Sequence, residues 1–203
     1  MRRTFALRVM KIGFMGGSFD PVHFGHLMAA QDAYERGGLD RLVFVPAAQA
    51  PLKPGMARAS ADARLAMLRA AVDDDARFEI SDYEVRKGGM SYTIDTVRHM
   101  RVQFPSAELA WVIGADQVER LHLWHEIGEL VTLVEFIVLA RPGWVRTQRV
   151  DIVGLRLRWC EGHLMDVSST ELRERVSAGL SVDFLMPHKT IEYIRETRIY
   201  RST

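Results

Sequence analysis

The run Val9-Met10-Lys11-Ile12-Gly13-Phe14-Met15-Gly16-Gly17-Ser18-Phe19-Asp20-Pro21-Val22-His23-Phe24-Gly25-His26 decides how the chain is read. Val9–Met15 is apolar with one Lys, the pattern of a buried strand, and it ends at Gly16-Gly17, which reads as a tight turn. Asp20-Pro21 fixes a further turn. From Gly25 to Arg36 the spacing of Leu27, Ala30 and Tyr34 puts apolar side chains on one helical face, with Gly37-Gly38 past its end. A buried strand, a glycine-rich connection and a helix form the opening unit of a parallel α/β sheet.

The same alternation continues outward. Leu42–Val45 reads as a strand stopped by Pro46, and Asp62–Val72 as a helix with Ser60 as its cap and Leu65, Leu68 and Val72 on one face. Phe78–Val85 alternates weakly and is expected to be a third strand. Ser91 is expected to cap a helix carrying Ile94, Val97 and Met100. Leu109–Ile113 and Phe136–Ala140 are buried-strand runs with a leucine-rich helical stretch between them. Leu155–Trp159 reads as the last strand. Pro187 to Ile199 reads as a helix with Pro187 in its first turn. This rhythm predicts an α/β fold: a mainly parallel sheet with helices on both faces and right-handed crossovers. Ligands of such sheets sit at the carboxyl ends of the strands, near the topological switch point.

At 203 residues the chain fits one domain. An α/β core is expected over about 9–160, and a small C-terminal helical part over about 161–203. Hydrophobic residues make up 48%, enough for a sizeable core, and 27 basic residues against 26 acidic ones leave a formal charge of +1. That balance argues against a nucleic-acid partner. The single cysteine, Cys160, excludes an intrachain disulfide and a cysteine-built zinc site, and fits a reducing cytoplasm. No apolar run approaches the ~20 residues of a membrane span. The N-terminal residues are too few and too charged for a signal-peptide core. Oligomeric state is left open, a homo-oligomer included.

The chemistry concentrates after the first strand. Gly16 and Gly17 let backbone N–H groups approach a ligand closely. His23 and His26, three apart around Gly25, stand at a helix start whose free N–H groups favour an anion. Two imidazoles beside such an N-terminus make a phosphate site with donors poised for developing charge. The segment is neither a G-x-G-x-x-G fingerprint nor a P-loop. No third ligand accompanies the histidines, so no protein metal site is expected.

Gly-Gly-Ser-Phe-Asp-Pro-Val-His-x-Gly-His resembles the H-x-G-H nucleotidylyltransferase superfamily, whose members transfer a nucleoside monophosphate from a nucleoside triphosphate to a phosphate ester. A second segment, Asp166-Val167-Ser168-Ser169-Thr170-Glu171-Leu172-Arg173, resembles that superfamily's Ser-Ser-Thr-x-x-Arg element. Its residues also read as a helix start: Ser168 and Glu171 fit a capping box, Ser169 and Thr170 occupy the first turn, and Arg173 lies one turn on. Ser91-Tyr92-Thr93-Ile94-Asp95-Thr96, Gly114-Ala115-Asp116 with Leu121-x-x-Trp124, and Ala140-Arg141-Pro142-Gly143 complete the likeness. Together they resemble bacterial nicotinate mononucleotide adenylyltransferases, from Lys11 to Tyr200.

The resemblance implies a Rossmann-like fold, ATP and nicotinate mononucleotide as partners, and Mg²⁺ carried in with ATP. It implies catalytic roles for His23, His26 and Arg173. An ATP site would draw on Gly16, Gly17, Ser18, Phe19, His23, His26, Gly114, Asp116, Ser169, Thr170 and Arg173. The mononucleotide would be held by Lys53, Tyr92, Thr93, Asp116, Trp124 and Arg141. Physically, Trp124 suits stacking on an electron-poor pyridine ring, and N–H and O–H groups around Tyr92 and Thr93 suit its carboxylate. The chain departs from the family pattern at Ala50-Pro51-Leu52-Lys53, where Leu52 stands in place of a histidine. His122, His125 and His163 read as surface or structural. A sibling adenylyl- or cytidylyltransferase with another acceptor and a non-catalytic nucleotide sensor are the alternatives; the sensor is expected to lack His23, His26 or Arg173.

Overall fold

Among the described residues six parallel strands form one sheet, in the order β3-β2-β1-β4-β5-β6. They are β1 (Lys11–Gly17), β2 (Arg41–Pro46), β3 (Phe78–Ile80), β4 (Glu108–Gly114), β5 (Glu135–Ala140) and β6 (Leu157–Glu161). The structure is a computed structural model and describes residues 8–51, 57–140, 150–163 and 165–201. The helices are α1 (Phe24–Gly37), α2 (Ala61–Val72), α3 (Tyr83–Lys87), α4 (Thr93–Gln103), α5 (Ala115–Val118), α6 (Ile127–Leu133), α7 (Ser169–Ser177) and α8 (His188–Thr197), with a 3-10 turn at Leu121–Leu123. None of the described helices is long and apolar enough to cross a membrane.

The two-residue period of the strands builds a core on each face. Leu42, Phe44, Ala110, Val112 and Ile137 face one side, against α1, α2, α7 and α8. Val43, Val45, Trp111, Phe136 and Val138 face the other, against α4, α5 and α6. Strands buried on both faces are apolar throughout, which is why the sequence signal was strongest at β1, β2, β4 and β5. From β1 the chain steps to β2 and β3, then returns to the other side of β1 as β4. Connections therefore leave β1 and β4 in opposite directions, and a crevice opens at their carboxyl ends.

Several expectations need correction. Gly16 and Gly17 are not a turn; they pair with Val45 and Pro46 inside the sheet. A Cβ on Gly16 would come within 2.9 Å of the Trp111 ring, and one on Gly17 within 2.8 Å of the Phe19 ring, so the glycines admit packed rings. The third strand ends at Ile80 rather than Val85, and Tyr83–Lys87 turns into α3, which buries Glu84. Ser91 does not cap α4; Tyr92 holds that position. The Ser91 hydroxyl instead accepts from the Ala48 N–H at 2.9 Å, and its own N–H donates to Gln49 O at 2.9 Å. The last strand lies two residues later than expected, and Pro187 precedes α8 as its N-cap.

Candidate active site

The loop from Ser18 to His23 joins β1 to α1, and buried polar groups clamp it from below. The Asp20 carboxylate, 4% exposed, accepts from Arg58 N–H at 2.7 Å, Ala59 N–H at 3.1 Å and the Tyr200 hydroxyl at 2.6 Å. Arg64, 2% exposed, donates to Ser18 O at 2.8 Å and Ala47 O at 2.7 Å. Burial and the neighbouring Asp20 push the Tyr200 hydroxyl far above the usual phenol range, so it stays a donor. Phe19 takes a left-handed backbone, φ 48°, and tucks its ring edge-on against Phe44 and His26. Phe19 is buried and supports the loop from within rather than facing the crevice. Nothing local in the sequence marks Asp20, Arg64 and Tyr200 as supports of this loop. Asp20 read only as half of a turn, Arg64 lies within an apolar helix, and Tyr200 acts across 180 residues.

His23 is the N-cap of α1, and the ring centres of His23 and His26 are 3.8 Å apart. His26 Nδ1 accepts from the His23 N–H at 3.3 Å. A Cβ on Gly25 would approach the His23 ring to 3.0 Å, so only glycine leaves that ring its present place. Burial lowers the His23 pKa from 6.5 to about 4. The free protein at neutral pH thus carries His23 neutral, with one N–H donor, and a bound polyanion would favour its protonation.

A pH dependence follows from this burial. Between pH 6.5 and about 4 the unfolded state takes up a proton at His23 that the folded state does not. The penalty is absent above pH 6.5 and grows as pH falls, reaching roughly 2–3 kcal/mol by pH 4.5. Urea unfolding of wild type and His23→Asn at pH 7 and pH 4.5 measures it. The wild type should lose more stability across that interval than the variant; equal losses would show that His23 is not the group excluded from protonation.

The start of α7 docks on the same loop. Ser168 caps it, accepting from Glu171 N–H at 3.1 Å, and the Ser169 hydroxyl donates to Pro21 O at 2.9 Å. Arg173 donates to Asp20 O at 2.7 Å and to the Thr170 hydroxyl at 3.0 Å, and lies 3.9 Å from the Asp20 carboxylate. The five-donor guanidinium keeps free N–H groups beside the α7 N-terminus. His23, His26, Ser169, Thr170 and Arg173, far apart in sequence, thus meet around one loop.

A cavity of about 710 Å³ opens beside them, between the carboxyl ends of β1 and β4. Gly16, Gly17 and Ser18 line it from β1, Tyr92 and Thr93 from the start of α4, Gly114 from β4, and Trp124 from the segment after the 3-10 turn. Trp124 meets Phe136 edge-on at 6.0 Å, and its indole N–H is buried without a partner among the described residues. The Tyr92 ring lies 4.4 Å from that of His125. Glu84, its pKa raised by burial, accepts from the Thr96 hydroxyl of α4 and so braces this wall from behind. Asp116 does not line the cavity; it is exposed and accepts from the Gln117 amide at 2.6 Å. Gln117 and Arg120 also line it, and so does His125, which the sequence presents as a surface or structural histidine. Lys53 and Arg141, with Leu52, lie outside the described residues. No group of three or more potential metal ligands occurs among the described residues.

A strand-loop-helix junction carrying a histidine pair lies beside a switch-point cavity, and residues 14–175 match the cytidylyltransferase-like family, whose members are nucleotidyltransferases. A protein of Opitutus terrae named "Probable nicotinate-nucleotide adenylyltransferase" is 62% identical over 192 residues, spanning 95% of this chain and 98% of its own. One of the same name from Methylacidiphilum infernorum is 39% identical, spanning 94% of this chain and 92% of its own. The chain belongs to the nicotinate-nucleotide adenylyltransferase family. The fold is shared with the Plasmodium falciparum nicotinic acid mononucleotide adenylyltransferase solved in complex with NaAD, at a TM-score of 0.73 and 18% identity over 94% of this chain and 97% of that one.

Proposed function

We propose that the protein transfers AMP from ATP to nicotinate mononucleotide, giving nicotinate adenine dinucleotide and pyrophosphate, a step in NAD biosynthesis. The observation that carries this reading is the junction of the His23–His26 loop, itself locked to α7 through Arg173, with an aromatic-ended cavity at the switch point. An acceptor phosphate oxygen attacks the α-phosphorus in line. The α-phosphorus to bridging-oxygen bond breaks, and negative charge collects on the departing pyrophosphate. His26, His23 and the α7 N-terminus with Ser169, Thr170 and Arg173 supply donors where that charge grows. The fixed loop supplies positioning, and no covalent enzyme intermediate is required. Mg²⁺ arrives with ATP, held by triphosphate oxygens. The C-terminal helical part completes the ATP site, as the contacts of Arg173 and Tyr200 with Asp20 support. A cytoplasmic location fits the lone thiol of Cys160.

Purified protein supplied with ATP, Mg²⁺ and each candidate acceptor tests the reading through pyrophosphate release. Nicotinate mononucleotide should be the productive acceptor; release only with a different phosphate ester, or none at all, would overturn it. Arg173→Ala should weaken ATP more than the mononucleotide, by about 1.5–3 kcal/mol for loss of charge-assisted hydrogen bonds. If KM for the mononucleotide rises while that for ATP stays unchanged, the two halves of the site are assigned backwards.

A further inference from the structure

Among its described lining residues the switch-point cavity contains one permanently charged side chain, Arg120, and no Asp, Glu or Lys. Arg120 carries no ion pair or side-chain hydrogen bond among the described residues. Of the other described arginines near the site, Arg64 is held by Ser18 and Ala47, and Arg173 is anchored to Asp20 and Thr170 with its remaining N–H groups at the α7 N-terminus, away from this cavity's lining. An unengaged arginine at the rim of an apolar, aromatic-walled cavity is matched by an anion, best one with two oxygens in a plane.

Two anions of the acceptor fit that chemistry, its phosphate and its ring carboxylate, and position separates them. Arg120 stands immediately before the 3-10 turn Leu121–Leu123, which delivers Trp124 and His125 into the cavity next to Tyr92. The reacting phosphate must instead reach the loop of His23 and His26, and neither histidine lines this cavity. With the ribose between phosphate and ring, the aromatic end receives the ring and its substituent.

We propose that Arg120 is a specificity-determining residue that recognises the pyridine carboxylate of the acceptor mononucleotide; this rests on the functional reading above. A carboxylate offers acceptors to both arms of the guanidinium. The amide of nicotinamide mononucleotide sets an NH₂ against one of them and carries no charge.

The test compares kcat/KM for nicotinate and nicotinamide mononucleotides in wild type, Arg120→Met and Arg120→Lys. The methionine keeps much of the stem and removes every donor, and an exposed position should leave the melting temperature unchanged. Arg120→Met should lower efficiency with the nicotinate form by ~10-fold or more and with the nicotinamide form by less than ~3-fold, and Arg120→Lys should restore part of the difference. An equal fall with both acceptors would place the shared phosphate at Arg120 and overturn the assignment. An unchanged ratio in an otherwise active enzyme would also overturn it, leaving the function intact. Wild-type protein inert with nicotinate mononucleotide would overturn the functional reading and the assignment with it.

Discussion

Replacement of His26 by alanine should lower kcat by ~10²–10³, because a donor to the charge developing on the departing pyrophosphate is lost. His26 also has a structural duty that its sequence position did not announce. Its Nδ1 accepts from the His23 N–H, so the variant loses a helix-cap contact as well as the donor proposed for the chemistry. That contact should cost about 1 kcal/mol, a few degrees in melting temperature for a chain of this length. Kinetics taken well below the melting transition, at saturating ATP, separate the two effects. A His26→Ala enzyme that melts a few degrees early yet retains near wild-type kcat would reduce His26 to a cap and remove it from the chemistry.

What could be read in advance follows from how local each signal is. β1, β2, β4 and β5 were legible because double-sided burial leaves a continuous apolar run. The junction of β1 and α1 was legible because glycines, the histidine pair and a helix start lie within eleven residues. The helix after Ser91 is legible, but its cap is not: Ser91 has the chemistry of a cap and spends it on Ala48, a partner 43 residues away. Phe78–Val85 failed for a related reason. Its alternation is real only to Ile80, and the burial of Glu84 against Thr96 then wins over strand pairing. The supports of the loop from Ser18 to His23 are the extreme case. Asp20 is held by Arg58, Ala59 and Tyr200, at separations of 38 to 180 residues, and no periodicity or motif encodes such contacts. The groups proposed to react therefore fall in one short stretch, whereas the groups that fix their geometry emerge only when the chain is folded.

Acceptor choice should show the second large effect. Nicotinate and nicotinamide mononucleotides differ by one charge and one donor, and the cavity meets that difference with donors. The first backbone N–H groups of α4, at Thr93 and just beyond, lack intrahelical partners by the geometry of any helix start. The positive end of the same helix favours an anion. No carboxylate lines the described cavity to receive an amide NH₂ with matching charge. A carboxylate can satisfy every donor offered to it, whereas an amide turns one of them into an unpaired group in a partly dry site. Sites that read hydrogen bonds in this way discriminate by up to ~10⁴-fold, so a preference for nicotinate mononucleotide of at least ~10²-fold in kcat/KM is expected. Trp124→Ala should behave differently. The proposed ring stack would be common to both acceptors, so efficiency should fall with each by roughly 1–3 kcal/mol while their ratio holds. Parallel kinetics with the two mononucleotides on both proteins decides the matter. Equal wild-type efficiencies would mean that these donors do not read the carboxylate, and a ratio that collapses in Trp124→Ala would mean that the indole fixes which edge of the ring faces them.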